Sequence, residues 1–217
     1  MDCKIIASGS SGNAILYNHI LVDCGVAYAK IKPYKDVIEY VLLTHIHKDH
    51  FNKNSIIQLY FDNKNIKFIC CEWLIEPLKS IGIKPYAIPL NTPIKLNNAV
   101  ISAFELYHDV QNCGWRMNFD GFKVFHATDT KHLDGIEAVG YDCYAVEANY
   151  DEEEYIQIIE EKKEQGVFCY ELGAMNSHLS FEKAAQFIKE NATKEHIVLK
   201  LHISSRYKGE TNGTIQN

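Results

Sequence analysis

The sequence lacks any apolar run long enough to cross a bilayer, which takes about 20 consecutive apolar residues. Its first ten residues, MDCKIIASGS, also lack the basic segment followed by an apolar stretch that marks a secretory signal. We therefore expect a cytoplasmic protein with no membrane partner.

Cysteine is present, but its spacing builds no recognisable framework. The seven cysteines are odd in number and scattered, and Cys70-Cys71 is the only close pair. Neither a disulfide-rich domain nor a zinc ribbon has this spacing. We predict that most of the cysteines are reduced, small core residues.

Positive charge is also in deficit, with 22 Lys and Arg against 28 Asp and Glu and a net charge of -6. This balance argues against a broad surface for non-specific binding of duplex nucleic acid. Two bound divalent cations would reverse the sign locally, so an anionic substrate is not excluded. The length fits one domain, which we place at residues 1–208, followed by a polar tail at 209–217 that we expect to fray or to be disordered.

Apolar patterning predicts a strand-rich first half and a second half in which strands alternate with helices, which indicates an α/β protein. Asp120-Gly121 predicts a two-residue hairpin, and Ser180 a helix cap. The predicted helices are 52–61, 72–81, 152–163 and 181–190. The predicted strands are 4–7, 15–22, 66–71, 100–106, 114–119, 122–127, 142–147 and 197–201.

The most informative segment is THIHKDH at residues 44–50, directly after the apolar run 41–43. A strand would place His45 and His47 on one face, because side chains alternate with period two. Asp49 and His50 would follow as the chain leaves the strand. Burying four such groups without partners would be costly, so the cluster predicts metal ligands, and two pairs of ligands indicate two metals.

Further histidines and an aspartate lie at the ends of later predicted strands: His108, Asp129, His178 and His202. The ordered series of HxHxDH, a lone His, a lone Asp and a late His resembles that of the metallo-β-lactamase superfamily over essentially the whole chain. The resemblance implies an α/β fold, specifically a four-layer αββα sandwich with its site at one edge.

The resemblance also implies the metal ligands. One metal would be held by His45, His47 and His108, the other by Asp49, His50 and His202, and Asp129 would bridge the two. All seven are nitrogen or oxygen donors, which suits two zinc or manganese ions.

Other motifs narrow the resemblance to a phosphodiesterase branch. KLHISSRY is similar to the terminal histidine motif of ribonuclease Z, and EANYD with SHLSFEKAA resembles its proton-delivery pair, here Glu147 and His178. The segments ASGSSGNA, LVDCG, LYHDVQNCGW and ATDT most resemble YycJ/WalJ-type metallo-hydrolases, which are regarded as nucleic-acid exonucleases. The chain has no segment resembling the tRNA-gripping arm of ribonuclease Z and no room for a β-CASP domain.

The implied reaction is hydrolysis of a nucleic-acid or nucleotide phosphodiester, with a metal-bridging hydroxide as nucleophile and His178 protonating the leaving oxygen. Asp49, Glu147 and His178 are then the catalytic residues. Three alternatives stay open: a phosphodiesterase of cyclic nucleotides, a thioester hydrolase, and a metal-stabilised binding module that is not an enzyme. The oligomeric state is also open, with a homodimer as one alternative.

Several residues receive a second interpretation. Asp23 in LVDCG is predicted to accept a hydrogen bond from a ligand imidazole, with a simple turn residue as the alternative. SGSSGN lacks the Gly-Lys-Ser/Thr end of a P-loop and is read as a tight hairpin. Trp115 is expected in the core, although it could stack on a base, as could Tyr150 and Tyr207. The remaining histidines singled out as core or surface residues are His19, His126, His132 and His196.

Overall fold

The computed structural model describes residues 1–207 and 215–216, and these form a mixed α/β protein. They fall into two compact units, residues 1–104 and the residues from 105 onward. None of the helices in this described part is both long and apolar enough to span a bilayer.

The first unit contains one sheet whose six strands lie in the order of the sequence. The first three strands pair antiparallel, and the next three continue the sheet in parallel. The strands are β1 (Cys3–Ala7), β2 (Ala14–Tyr17), β3 (Ile20–Val22), β4 (Tyr40–Leu42), β5 (Lys67–Cys70) and β6 (Tyr86–Ala87). The helices are α1 (Tyr28–Ile31), α2 (Lys53–Asp62) and α3 (Ile75–Lys79), and a hairpin follows, formed by β7 (Ile94–Lys95) and the start of β8 (Val100–Leu106).

The core of this unit lies between the sheet and its helices. Leu21 and Val41 from neighbouring strands belong to one buried apolar cluster with Leu59 of α2. Strands in a parallel arrangement are buried on both faces and consist of continuous apolar runs, here ILV in β3 and YVL in β4. Helix α2 begins where the side chain of Asn52 accepts a hydrogen bond from the backbone N–H of Ser55, at 3.2 Å.

Two predictions for this unit were wrong. Residues 15–22 are not one strand but the hairpin β2–β3, which turns at Asn18 with φ of 50°. Strand β4 ends at Leu42, so His45 and His47 lie in the loop that follows it and not on the strand. The period-two argument therefore gave the right neighbours for the wrong reason.

The second unit also has a sheet whose strands follow the sequence, from the end of β8 to β13. The hairpin at Asp120-Gly121 is confirmed, and both residues have positive φ, 49° and 102°, as a primed two-residue turn requires. The strands are β9 (Asn112–Phe119), β10 (Phe122–Ala127), β11 (Cys143–Glu147), β12 (Ile197–Leu201) and β13 (Ile215–Gln216). The helices are α4 (Glu152–Glu164), α5 (Tyr170–Ser177) and α6 (Phe181–Asn191).

Strands β10, β11 and β12 are parallel, with Ala127 opposite Val146 and Glu147 opposite Leu201. Their carboxyl ends therefore meet at the same edge of the sheet, the usual place for functional groups in α/β proteins. The predicted Ser180 cap is confirmed, since its side chain accepts from Lys183 N at 3.2 Å. Of the predicted tail 209–217, only residues 215–216 are described, as β13, and the rest lies outside the described residues, as does Lys208.

Candidate active site

In the first unit, the loop after β4 gathers three imidazoles. The ring centroid of His45 lies 4.9 Å from that of His47 and 4.2 Å from that of His50. The loop turns back on itself, because the backbone N–H of His50 donates to the carbonyl of His47 at 2.9 Å. His45 and His50 are buried, while His47 and Asp49 are partly exposed.

Asp23, the residue after β3, orients two of these rings. Its Oδ2 accepts from Nδ1 of His50 at 2.6 Å, as predicted, and its carboxylate also accepts from the hydroxyl of Thr44. The oxygen of that hydroxyl lies 2.9 Å from Nδ1 of His45, within reach of a hydrogen bond from the ring N–H. Both imidazoles thus have Nδ1 engaged, and Nε2 keeps the lone pair that a metal would take.

Burial dominates the electrostatics of Asp23. Removal from water raises the pKa of its carboxyl, while the charge and hydrogen bond of His50 and the contacts with Thr44 act in the opposite direction. Asp23 has φ of 60°, a left-handed conformation that only a few residue types tolerate. The carboxylate is therefore fixed both by its backbone and by its partners.

Asn13, which the sequence did not single out, joins the SGSSGN turn to this loop. Its backbone N–H donates to the carbonyl of Asp49 at 2.7 Å, and its Oδ1 accepts from Gly9 N at 2.8 Å. Its Nδ2 lies 2.8 Å from Nε2 of His50. Close approach also needs Gly25, where an added Cβ would lie 1.7 Å from the Asp49 carbonyl oxygen. Gly-Asn at the end of a turn was the available sequence signal.

In the second unit, the edge of the parallel strands carries Asp129, Glu147 and His202, and His178 joins them from the end of α5. Nδ1 of His178 lies 2.6 Å from Glu147 Oε1 and 3.2 Å from Asp129 Oδ1. His202 contacts the same two carboxylates, with Nε2 3.3 Å from Asp129 and Nδ1 3.2 Å from Glu147. The two imidazole rings stack with centroids 5.0 Å apart.

Glu147 is held so that one oxygen faces His178. Its Oε2 accepts from the backbone N–H groups of Thr130 at 2.9 Å and Leu179 at 3.3 Å, which leaves Oε1 for the imidazole. Burial opposes ionisation of Glu147, but the charge of His178 and hydrogen bonds from both histidines outweigh it and lower the carboxyl pKa.

The pKa of His178 shifts in the opposite direction to that of Glu147. Burial works against its protonation, but the charge of Glu147 and the hydrogen bonds to Asp129 and Glu147 outweigh that effect and raise the imidazole pKa to about 10. Glu147 has no exposed surface, whereas the side chain of His178 is 20% exposed. A proton held by this pair can therefore reach solvent or a bound molecule through His178.

His108 lies in the loop that follows β8, two residues after the strand ends. Its Nδ1 lies 2.9 Å from the carbonyl oxygen of Ser177, and its ring centroid is 5.4 Å from that of His178. Burial lowers the pKa of His108, although Asp129 and Asp109 act in the opposite direction. With Nδ1 against a carbonyl oxygen, Nε2 is the atom through which a neutral imidazole would bind a metal, and it lies 3.1 Å from Oδ1 of Asp109.

Asn149 is a second residue that sequence reasoning missed. Its Nδ2 donates to the carbonyl of His202 at 2.7 Å and lies 3.1 Å from Nδ1 of the same residue. His202 and Asp129 have φ of 51° and 57°, so both functional side chains project from left-handed positions just past strand ends. The EANYD motif had drawn attention to Glu147 but gave no reason to select its asparagine.

The aromatic residues suggested for base stacking differ in burial: Trp115 and Tyr150 are buried, and Tyr207 is partly exposed. Trp115 is fully buried in the core, as expected. Tyr150 is fully buried too and stacks on Tyr155 with centroids 4.6 Å apart, so the suggestion that it could stack on a base was wrong. The hydroxyl of Tyr207 donates to Glu154 at 2.8 Å.

A model of the β-lactamase superfamily domain matches residues 18–203, which is most of the chain. The chain belongs to this superfamily. The metallo-β-lactamase fold predicted from the ligand series is thereby confirmed, and as a member of this superfamily the chain is a metal-dependent hydrolase. No curated protein matches the sequence significantly.

Three solved structures are similar to this chain in fold. The metallo-β-lactamase fold protein YhfI from Bacillus subtilis has a TM-score of 0.72 and 18% identity, over 93% of this chain and 85% of that one. The short form of human tRNase Z has a TM-score of 0.71 and 17% identity, over 95% and 94%. A diphosphatase of the PhnP family has a TM-score of 0.66 and 13% identity, over 99% and 92%.

The donors described above fit divalent metals. His45, His50 and His108 each have an oxygen partner for Nδ1, which is the usual outer contact of a metal-binding histidine. In the second unit, Asp129, Glu147, His178 and His202 each offer a ligand atom within 4.8 Å of the others. This second group includes the predicted proton-donor pair, Glu147 and His178.

Proposed function

We propose that the protein is a phosphodiesterase that cleaves nucleic acid with two bound divalent metal ions, zinc or manganese. The proposed ligands are the seven residues that match the superfamily series: His45, His47, Asp49, His50, His108, Asp129 and His202. Bound there, the two cations would activate a water molecule and neutralise the oxygens of the phosphoryl group. The residues of the chain supply the remaining steps.

The observation that carries the choice of reaction is the contact between Glu147 and His178. Glu147 takes the Nδ1 side of the imidazole at 2.6 Å, so Nε2 is left as the atom that can give a proton to the substrate. The leaving group of a nucleic-acid phosphodiester is an alkoxide, which departs slowly unless it is protonated. A buried carboxylate behind a partly exposed histidine meets that requirement.

Sequence resemblance and fold favour nucleic acid as the substrate. The motifs most resemble those of YycJ/WalJ-type nucleases and ribonuclease Z, and tRNase Z and a PhnP-family diphosphatase share the fold. A tRNase and a diphosphatase both act on compounds of phosphoric acid. A thioester hydrolase would have no need for the Glu147–His178 pair, because a thiolate leaves without a proton.

The test is metal analysis followed by a substrate panel. We expect about two zinc or manganese ions per chain, and hydrolysis of single-stranded oligonucleotides faster than of cyclic mononucleotides or a thioester. Asp129→Ala should abolish activity on every substrate, whereas Asp134→Ala, which alters an exposed carboxylate, should not. Faster turnover of cyclic nucleotides would establish the alternative phosphodiesterase, and turnover of the thioester alone would refute the proposal.

A further inference from the structure

The first unit has a hollow of about 360 Å³ beside the predicted metal ligands. Its wall is formed by the SGSSGN turn on one side and by the ligand loop and the start of α2 on the other. The polar residues that line it are Ser10, Ser11, Lys48, Asp49 and Asn52. Neither the superfamily ligand series nor the Glu147–His178 pair uses the two serines, the lysine or the asparagine.

The turn is fixed rather than loose. Gly12 N donates to the carbonyl of Gly9 at 2.8 Å, and both glycines have positive φ, 138° at Gly12 and 122° at Gly9. Asn13 then ties the end of the turn to the carbonyl of Asp49 at 2.7 Å. A Cβ on Gly12 would lie 2.7 Å from the Gly25 carbonyl oxygen, so the turn packs tightly against the backbone at Gly25. Ser10 and Ser11, at its tip, are left exposed towards the hollow.

The charges on the other side favour an anion. Lys48 brings an exposed ammonium group, and Asn52 lines the hollow as the cap of α2, a ten-residue helix whose first N–H groups carry partial positive charge. The one acidic residue on the wall, Asp49, is a proposed metal ligand, so its charge would face a cation. Hydroxyl, ammonium and helix N-terminus together are typical phosphate contacts.

We propose that this hollow binds a phosphoryl group next to the scissile one, and so makes the protein selective for substrates with a second phosphate. This inference rests on the proposed function, because Asp49 places the hollow beside the proposed metal centre. A nucleic-acid strand always offers such a neighbouring phosphate. A simple phosphodiester does not.

The kinetic test uses matched aryl esters, which need no general acid. The substrates are the 3′- and the 5′-(4-nitrophenyl phosphate) of thymidine, each with and without a phosphate on the other hydroxyl. We expect wild type to favour the phosphorylated member of at least one pair, and Lys48→Ala or Ser10→Ala/Ser11→Ala to reduce that preference about tenfold, since contacts to a charged group are among the stronger hydrogen bonds. Lys53→Ala, an exposed lysine at the start of α2 that does not line the hollow, should keep the preference. No preference in wild type, or an unchanged preference in Lys48→Ala, would overturn the inference.

A binding test separates failure of the inference from failure of the proposed function. Calorimetry on the metal-loaded protein compares thymidine 3′,5′-bisphosphate with the two monophosphates, and it needs no turnover. The bisphosphate should bind more tightly than either monophosphate, and Lys48→Ala should lose about tenfold of that advantage. If no ester is hydrolysed but the advantage is present and depends on Lys48, the proposed function fails and the phosphate site stands. If esters are hydrolysed and the bisphosphate has no binding advantage, the proposed function stands and the phosphate site fails.

Discussion

His178 and His202 stack on one another, yet we assign them different work. His178→Ala should keep both metals and lose roughly 10²- to 10⁴-fold in rate on an unactivated nucleotide ester, the usual contribution of a positioned acid. An aryl ester scarcely needs the proton, so its hydrolysis should fall much less. Glu147→Gln should show the same pattern more mildly, because Glu147 only orients the imidazole.

The control for this experiment is His202→Ala, which should lose metal and fail on both esters alike. Metal content by elemental analysis accompanies each rate. If His178→Ala loses a metal ion, or loses equal activity on the two esters, His178 is not the proton donor. It would then be a metal ligand together with Asp129, Glu147 and His202.

Asp23 is not a proposed metal ligand, but it holds His50 and Thr44 in place through hydrogen bonds. Asp23→Asn keeps the shape and tolerates φ of 60°, but its amide cannot replace the carboxylate as an acceptor for both partners. We expect metal affinity, measured by competition with a chelator, to fall roughly 10- to 100-fold. The exposed Asp36→Asn is the matched control, and unchanged affinity in Asp23→Asn would leave Asp23 as only a turn residue.

At the level of single residues, the order of ligand types along the chain was sufficient to propose the metal ligands and the proton-donor pair. It could not identify Asn13 or Asn149, because their roles depend on backbone carbonyls that approach only in the folded protein. Tyr150 was misjudged because nothing local distinguishes a buried tyrosine from an exposed one.

Among the elements, α5 is the one that leads directly into His178, and an ion pair between a fully buried carboxylate and a partly exposed lysine fixes it. Glu171, near the start of α5, has no exposed surface and accepts from Lys162 of α4 at 2.7 Å through both oxygens. The carboxylate also lies 3.4 Å from Arg206. Burial disfavours the charge, but the hydrogen bond from Lys162 is among the contacts that outweigh it and lower the Glu171 pKa.

Lys162→Met should therefore destabilise the protein by about 3 kcal/mol, because it leaves a buried carboxylate without its main partner. Lys163→Met, on the exposed side of the same helix, should change the free energy of unfolding by less than about 0.5 kcal/mol. Urea unfolding gives both values. Since the folded-state pKa of Glu171 is lowered, the contribution of the pair is present above the usual glutamate range and is lost as pH falls through the lowered pKa. Equal stability of the two variants would show that the pair contributes little.

Helix α5 also shows where sequence reasoning stops at this scale. Strands β8, β10 and β12 were predicted with their observed bounds, because buried strands read as compact apolar runs. Helix α5, YELGAMNS, has no amphipathic repeat and contains Gly173, so no local signal predicts it. Its position depends on Lys162, nine residues earlier than Glu171.

For the whole molecule, metal binding should be linked to folding. Proposed ligands come from loops in both compact units, and an ion that binds only the folded chain stabilises it by about 4 kcal/mol at a thousandfold excess over its dissociation constant. Chelation should therefore lower the unfolding temperature, and zinc or manganese should restore it. Asp129→Ala should respond far less to either treatment. An unfolding temperature that ignores both chelator and metal would contradict the metal ligands assigned here.

Among the described residues, those in the left-handed backbone conformation show a conflict between catalytic activity and folding stability. Six of them are not glycine, and three of these, Asp23, Asp129 and His202, are residues to which we assign a role at the metals. The other three are Asn or Asp in turns, and this conformation costs a residue with a Cβ, histidine included, about 1 kcal/mol relative to glycine. His202→Gly and His202→Ala should both be inactive, but in the metal-free state the glycine variant should be the more stable by about that amount. A lineage released from catalysis would be expected to drift towards glycine or asparagine at this position, so the retention of histidine there would itself report that the enzyme is still in use.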